Sequence, residues 1–252
     1  MRAGLMGFGK AGKAVASVLM QHPDFSLEWV LRRSEVLENR HVGEFLGIET
    51  DKEAFIKSVG HVDIEVFLDE HPVDCIIDFS PTESIHTYGP AAAARGITII
   101  SAISHYGDEE KALLHELAKD TVVFWSPNIT LGVNYLMFAG KFLKKIAPWA
   151  DIQLVEEHFK TKQGISGTAI KIAESLDMAS SEINSVRAGG IVGKHELIFG
   201  FPYQTVRLVH ESISREAFGN GVIFAAQNLA GMGPGLYNFE DILLPYFTPE
   251  PN

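Results

Sequence analysis

The chain begins with a short apolar run, residues 2–6, that leads straight into Gly7-Phe8-Gly9-Lys10-Ala11-Gly12. Ala11, Ala14, Val15, Val18 and Leu19 then recur at helical spacing. Glycine at the first, third and sixth positions of a strand–turn–helix connection permits a tight turn, close approach of the backbone to a pyrophosphate, and close packing of helix on strand. The helix start adds unpaired N–H groups and the positive end of the helix dipole. The pattern predicts a dinucleotide-binding turn, with Gly7, Gly9, Lys10, Ala11 and Gly12 around the phosphates. A glycine-rich turn that only packs tightly is the competing reading of the motif by itself.

The end of the second predicted strand, residues 25–31, chooses the nucleotide. Roughly 20 residues beyond the turn, a chain selective for NAD places an acid against the ribose hydroxyls. Here Arg32-Arg33-Ser34 occupies that place, and the nearest acid, Glu35, follows it. Two guanidiniums and a hydroxyl suit a 2′-phosphate. Arg32 and Arg33 are therefore expected to bind NADPH, with Lys10 adding charge and NADH left open as a second cofactor. Solvated surface arginines are the alternative.

The rest of the first half alternates apolar runs with helical patterns. Residues 75–79, 97–100 and 122–125 read as strands. Helices are expected through 91–94, stopping at Arg95-Gly96, and over 109–118. Such alternation implies βαβ units and a mostly parallel sheet. The second half opens with a loop, 126–134, and a long helix to about residue 146. Strand patterns then follow at 151–157, 186–192, 195–199 and 204–210, interrupted by one helical face of Ala169, Ile172, Ala173 and Leu176. That order implies an open, mixed or antiparallel sheet. A last helix over 214–230 is expected to return to the first domain, and residues 245–252 to form an irregular tail. The expected fold class is α/β: a Rossmann-type parallel-sheet domain over 1–127 and 216–252, and an α+β domain with an open mixed sheet over 128–215. A chain of 252 residues is long enough for both.

A net charge of -11 repels phosphate backbones and anionic lipid, so neither nucleic acid nor a membrane surface is an expected partner. An anionic ligand then needs a local cationic pocket. No stretch approaches the ~20 apolar residues of a membrane span, and no basic, then apolar leader precedes the first strand. Cys75 is the sole cysteine, which excludes an internal disulfide and points to a reducing, cytoplasmic setting. It reads as a small buried hydrophobe in a strand, not as a nucleophile. No metal site is expected.

The chemistry-bearing residues lie in the second half: Glu156-Glu157-His158-Phe159-Lys160-Thr161-Lys162, then Ser166-Gly167-Thr168-Ala169. His158 ends a predicted strand, Lys162 follows four residues on, and Gly167-Thr168 opens a helix whose N–H groups can hold a carboxylate. A proton donor, a cation and an anion cradle suit reduction of an anionic imine or conjugated acid, with hydride from the cofactor and a proton from a positioned acid. On composition alone, a surface loop with one satisfied histidine is the competing reading.

With these segments the chain resembles the dihydrodipicolinate reductase (4-hydroxy-tetrahydrodipicolinate reductase) family, nearly end to end. The resemblance covers the glycine turn, Ile77-Asp78-Phe79-Ser80, Ser126-Pro127-Asn128 with Gly132-Val133-Asn134, the Glu156-to-Lys162 and Ser166-to-Ala169 segments, Arg187 through His195, Ser214 through Phe218, and Gly235-Leu236-Tyr237. It implies NADPH-dependent reduction of a small, anionic, cyclic substrate in the diaminopimelate–lysine pathway, and a second domain that binds substrate and assembles a homotetramer. It implies proton transfer and anion binding by His158 and Lys162, and a substrate carboxylate held at Ser166, Gly167 and Thr168. Phe79, Ser80, Ser101, Ser126 and Asn128 join the cofactor site, the last two beside the nicotinamide. His195 and His210 read as structural.

The departures concentrate in the expected substrate pocket. Phe159 replaces the second of two adjacent histidines. Gln163-Gly164-Ile165 is one residue shorter than usual and lacks an Asp and a Pro. Ser101-Ala102-Ile103-Ser104 stands for a Gly-Thr-Thr-Gly loop, and a Gly- and Arg-bearing stretch before Arg187 is largely missing. Met6 stands where the family often has glycine. Two further readings follow: an NADP-dependent reductase or dehydrogenase of a related cyclic imine or amino acid, which Phe159 favours, and a nucleotide-binding regulatory protein without turnover, which the His158–Lys162 pair disfavours.

Overall fold

A computed structural model describes residues 1–247. In chain order the strands are β1 (Arg2–Met6), β2 (Ser26–Arg32), β3 (Phe55–Ser58), β4 (Cys75–Asp78), β5 (Thr98–Ser101), β6 (Val122–Trp125), β7 (Asp151–His158), β8 (Ile183–Arg187), β9 (Gly193–Phe201), β10 (Gln204–Ser212) and β11 (Gly235–Tyr237). The helices are α1 (Lys10–Gln21), α2 (Val42–Leu46), α3 (Ile64–Glu70), α4 (Ser84–Ala94), α5 (Asp108–Leu117), α6 (Leu131–Ile146), α7 (Gly167–Ser175), α8 (Ala217–Leu229) and α9 (Phe239–Leu243). The chain divides into two compact units. One holds Met1–Ile129 and the described residues from Phe218 onward; the other is Thr130–Ala217.

The first unit is a parallel seven-stranded sheet in the order β11-β6-β5-β4-β1-β2-β3. Continuous apolar runs make strands buried on both faces: all four residues of β4 and the last four of β1 are buried. Cys75 is among them, and burial pushes its thiol up to about 12, so it stays protonated and inert. Trp29 lies over Gly4, where a Cβ would come within 2.2 Å of the ring. The winding runs outward from β1 to β3, returns to β4 on the other side of β1, and continues to β11. The carboxyl ends of β1 and β4 therefore form the switch point at which such sheets leave a ligand crevice.

The second unit is a four-stranded mixed sheet, β10-β9-β7-β8, with β7 antiparallel to β9 and parallel to β8. Alternation along β7 and β9 turns Leu154, Leu197 and Phe199 inward, where they form a core with Leu136 of α6 and Ala169, Ile172 and Ala173 of α7. The opposite face carries charged pairs, Lys194–Glu157 and Arg207–Glu196, around half-exposed Val186 and Val209.

Several sequence expectations need adjustment. The strand expected at 186–192 lies earlier, at β8, because Ala188-Gly189-Gly190 turns, with Gly189 at φ +47°. The helix expected over 214–230 is shorter and is followed by β11 and α9, which the pattern of short apolar pieces hid. Of the expected irregular tail, 245–247 belong to a 3₁₀ turn, Leu244–Phe247, and 248–252 lie outside the described residues. Among the described residues no helix is long and apolar enough to cross a membrane.

Candidate active site

In the first unit, the three glycines of the turn separate by what surrounds them. Gly7 has φ +92°, and a Cβ there would sit 2.5 Å from the Phe79 carbonyl oxygen. At Gly12 a Cβ would come 2.2 Å from the Gly7 oxygen. At Gly9 a Cβ meets no atom within 4 Å. The protein's own packing thus demands glycine at 7 and 12, while the bare backbone at 9 leaves room for something from outside. α1 starts on Gly9 with no side-chain cap and no acid in its first turn, so its terminal N–H groups and dipole are uncompensated.

These groups open on a cleft of about 530 Å³. Gly7, Gly9, Arg32 and Arg33 line one side, and Phe79 and Ser80 the other. Buried Asp78, at the end of β4, fixes the second wall. It accepts hydrogen bonds from the Ser80 N–H at 2.8 Å, the Ser80 hydroxyl at 2.5 Å and the Tyr88 hydroxyl at 2.8 Å. Burial pushes its carboxyl up, and those hydrogen bonds oppose the rise. Arg32 donates to the Val36 carbonyl at 2.7 Å, closing the turn after β2. Arg33 pairs with Glu83, both side chains largely exposed.

The other expected cofactor residues sit differently. Lys10 and Ala11 form the first turn of α1. Ser101 is fully buried with its hydroxyl 2.8 Å from Tyr106 Oη. The buried Ser126 hydroxyl donates to the Asn128 carbonyl at 2.6 Å, closing the loop after β6. None of these five lines the cleft.

In the second unit, the two-residue period of β7 puts Glu156 and His158 on its inward face. Glu156 is fully buried. One oxygen meets His158 Nδ1; the other accepts from the Ser185 hydroxyl at 2.6 Å and from Arg187 Nη2 at 2.5 Å. Burial alone would raise its carboxyl, but the bonds from Arg187, Ser185 and His158 outweigh this and hold it at about 2. An ionised carboxylate only accepts, so the proton of a neutral His158 lies on Nδ1 and Nε2 is the available nitrogen. A Cβ at Gly193 would come 3.0 Å from that Nε2, so glycine there keeps it uncrowded.

The neighbouring strand supplies His195, edge-on to His158 at 5.4 Å between ring centroids, with its Nε2 3.1 Å from the Ser166 hydroxyl. His195 is held down at about 4, first by burial and then by His158 and His210, while Glu156 opposes. His210 stacks behind it at 6.3 Å and is lowered by burial. Ser166 caps α7 by accepting from the Ala169 N–H at 3.0 Å. A Cβ at Gly167 meets nothing within 4 Å, so the first turn of α7 is open on that side. Lys162 is half-buried, and its Nζ has no ion-pair partner among the described residues. Phe159 is 42% exposed. The structure thus gathers His158 and Ser166 around His195, a residue that reads as structural from sequence. Arg187 and Ser185 join them from β8, a strand that the sequence pattern places too late in the chain.

A family model described as dihydrodipicolinate reductase, N-terminus, matches residues 1–129, and one described as dihydrodipicolinate reductase, C-terminus, matches residues 132–243. The chain belongs to the dihydrodipicolinate reductase family. Dihydrodipicolinate reductases are NAD(P)H-dependent oxidoreductases. The 4-hydroxy-tetrahydrodipicolinate reductase of Caldanaerobacter subterraneus subsp. tengcongensis is 31% identical over 261 residues, covering 93% of this chain and 94% of that one. That of Hahella chejuensis is 27% identical over 261 residues, covering 93% and 95%. Among solved structures, the dipicolinate-bound dihydrodipicolinate reductase from Paenisporosarcina sp. TG-14 has a TM-score of 0.77 at 20% identity, covering 94% and 97%, a likeness of fold.

Proposed function

We propose that this chain reduces 4-hydroxy-tetrahydrodipicolinate to tetrahydrodipicolinate in the diaminopimelate–lysine pathway, with NADPH as the preferred cofactor. The observation that carries the reading is the buried Glu156–His158 pair beside the capped start of α7, in a chain of this family. The first unit binds the nucleotide: Gly9 and the start of α1 take the pyrophosphate, Arg32 and Arg33 the 2′-phosphate, and the Phe79–Ser80 turn closes the cleft. When bound, the nicotinamide supplies a hydride. His158 holds and moves a proton at Nε2. Lys162 binds the anionic substrate and assists that transfer. The N–H groups of Gly167 and Thr168, with Ser166, receive a substrate carboxylate.

The test is direct. Substrate generated by the preceding synthase is mixed with protein and NADPH, and nicotinamide absorbance is followed. Rapid oxidation that is lost in Lys162→Ala is the expected result; no oxidation, with NADPH still bound in calorimetry, sinks the proposal.

Half-exposed Phe159 favours a second reading, reduction of a less charged cyclic imine, which a substrate screen separates from the first. The outer sheet face, with Val186 and Val209 among paired charges, supports assembly into a homotetramer, readable by sedimentation. A cytoplasmic setting fits the single buried thiol.

A further inference from the structure

The segment 159–166 between β7 and α7 carries Lys162, and it departs from the family pattern at Phe159 and at Gln163-Gly164-Ile165. It lacks the usual Asp and Pro, which would stiffen it, and Gly164 within it adopts φ +62°. Short backbone bonds tie its start: the Lys162 N–H donates to the Phe159 carbonyl at 3.0 Å, and the Lys160 N–H to the Gly189 carbonyl at 3.1 Å. From β8, Arg187 holds its middle. Arg187 Nε donates to the Lys162 carbonyl at 3.2 Å, and Nη2 donates to the Gly164 carbonyl at 2.5 Å. The same Nη2 reaches Glu156 Oε1 at 2.5 Å, and Nη1 closes onto the Val186 carbonyl at 2.8 Å.

A guanidinium carries five N–H donors in one rigid plane. Here that plane spans the loop and a carboxylate that is itself fully buried and grips His158. A Lys at 187 offers a point charge with no fork, so it can answer Glu156 but cannot also hold two carbonyls in fixed geometry.

We propose that Glu156 and Arg187 are positioning residues that act as one unit, Glu156 setting the ring orientation and tautomer of His158 and Arg187 setting the backbone of Lys162, so that one ion pair registers the two catalytic side chains against each other. The inference rests on the roles given above to His158 and Lys162, but part of its test needs neither substrate nor turnover.

Glu156→Gln provides that part. Arg187 and Ser185 both donate to Oε1, so the amide oxygen takes that side and the NH₂ turns to His158. Nδ1 must then accept, and the proton moves to Nε2. Nitrogen-15 spectra of histidine-labelled protein, with the His158 signals identified by their loss in His158→Asn, are expected to show the Nδ1–H tautomer in the wild type and the Nε2–H tautomer in Glu156→Gln. Unchanged His158 nitrogen shifts overturn the proposal. The groups facing His158 are Glu156 on its own strand and His195 on β9, so wild type and variant are compared at one and the same pH, with His195 unchanged in both.

Calorimetry with pyridine-2,6-dicarboxylate and NADPH-oxidation kinetics read the other half. Arg187→Lys is expected to leave the His158 tautomer in place, weaken pyridine-dicarboxylate about tenfold, and raise substrate KM more than it lowers kcat. Glu156→Gln is expected to lower kcat about 10²-fold, at the low end of what a positioned acid supplies. Adding Arg187→Lys to Lys162→Ala should then cost little further binding, because the group it positions is gone; full additivity overturns the coupling. A wild type that fails to oxidise NADPH defeats the proposed activity while the tautomer comparison still decides this inference. Should Glu156→Gln fail to fold, Arg187→Lys decides it by the same additivity.

Discussion

The hydroxyl of Ser166 lies 3.1 Å from Nε2 of His195 while it also accepts the Ala169 N–H at 3.0 Å, so one side chain caps α7 and anchors that cap to the middle of the sheet. Both bonds are buried. An N-cap is worth about 1 kcal/mol, and a buried partner left unmatched adds about 1–3 kcal/mol. Ser166→Ala is therefore expected to destabilise the protein by about 2–4 kcal/mol in urea unfolding. Ser166→Asp keeps the cap but places an acid where a substrate carboxylate is proposed to sit. It should unfold closer to wild type and yet lose affinity for pyridine-2,6-dicarboxylate.

His195 makes stability depend on pH in a direction that can be worked out. Its folded value is about 4 against 6.5 for the free group, so between those values the unfolded chain binds the proton and the folded chain does not. Stability is then fully present above about pH 6.5 and falls as pH drops toward 4. The drop amounts to about 3 kcal/mol, since each tenfold loss of proton affinity on folding is worth about 1.4 kcal/mol. Lowered His210 acts with the same sign. Urea midpoints are expected to fall between pH 7.5 and 4.5 in the wild type and to fall much less in His195→Gln. An equal fall in both excludes His195 as the source.

The turn glycines separate packing from ligand binding. At Gly12 an added methyl runs into the Gly7 carbonyl oxygen at 2.2 Å, with backbone on both sides of the clash. Gly12→Ala should lower the melting temperature and abolish nucleotide binding together. At Gly9 the backbone has φ -76°, which alanine adopts freely, and the methyl meets nothing within 4 Å. Gly9→Ala is expected to fold with wild-type stability and still weaken NADPH tenfold or more in calorimetry. Retained affinity in Gly9→Ala removes the pyrophosphate from this turn.

How much of this was legible in the sequence follows from the range of the interactions involved. The glycine turn, the βαβ alternation and the change to an open sheet are local patterns of period 2 or 3.6, and they predict the α/β class and both sheets. β11 is three residues long, too short for any period to register, and β3, no shorter than β4 to β6, ends in Lys57 and Ser58 and so lacks their continuous apolar run. Glu156 stands two residues before His158, and in a strand that spacing alone puts them on one face, so their pairing could have been read. Arg187 could not, because it reaches Glu156 across 31 residues and the neighbouring strand. Ser101 and Ser126 are named by resemblance, yet whether a hydroxyl faces a cleft or turns to Tyr106 or a carbonyl is fixed by tertiary packing that no local pattern encodes.

The same limit applies to Arg33, whose place in the motif predicts a phosphate ligand but whose nearest partner is Glu83 from the turn after β4. Exposed ion pairs contribute about 0–1 kcal/mol, so Glu83 does not prevent Arg33 from turning to a 2′-phosphate, but that contact must be exchanged when NADPH binds. NADH, which lacks the phosphate, leaves it in place. Glu83→Gln is accordingly expected to tighten NADPH by up to about fivefold, the equivalent of about 1 kcal/mol, with NADH unchanged. Removing the guanidiniums acts in reverse: Arg32→Ala with Arg33→Ala gives up charge-assisted hydrogen bonds of about 1.5–3 kcal/mol each, so NADPH should weaken at least tenfold and NADH little. Calorimetric titration of both nucleotides into the three proteins reads all of this at once. Equal losses for NADPH and NADH in the double variant would defeat the phosphate-pocket assignment, whereas a weaker NADPH affinity in Glu83→Gln would show that Glu83 does not compete with the phosphate for Arg33.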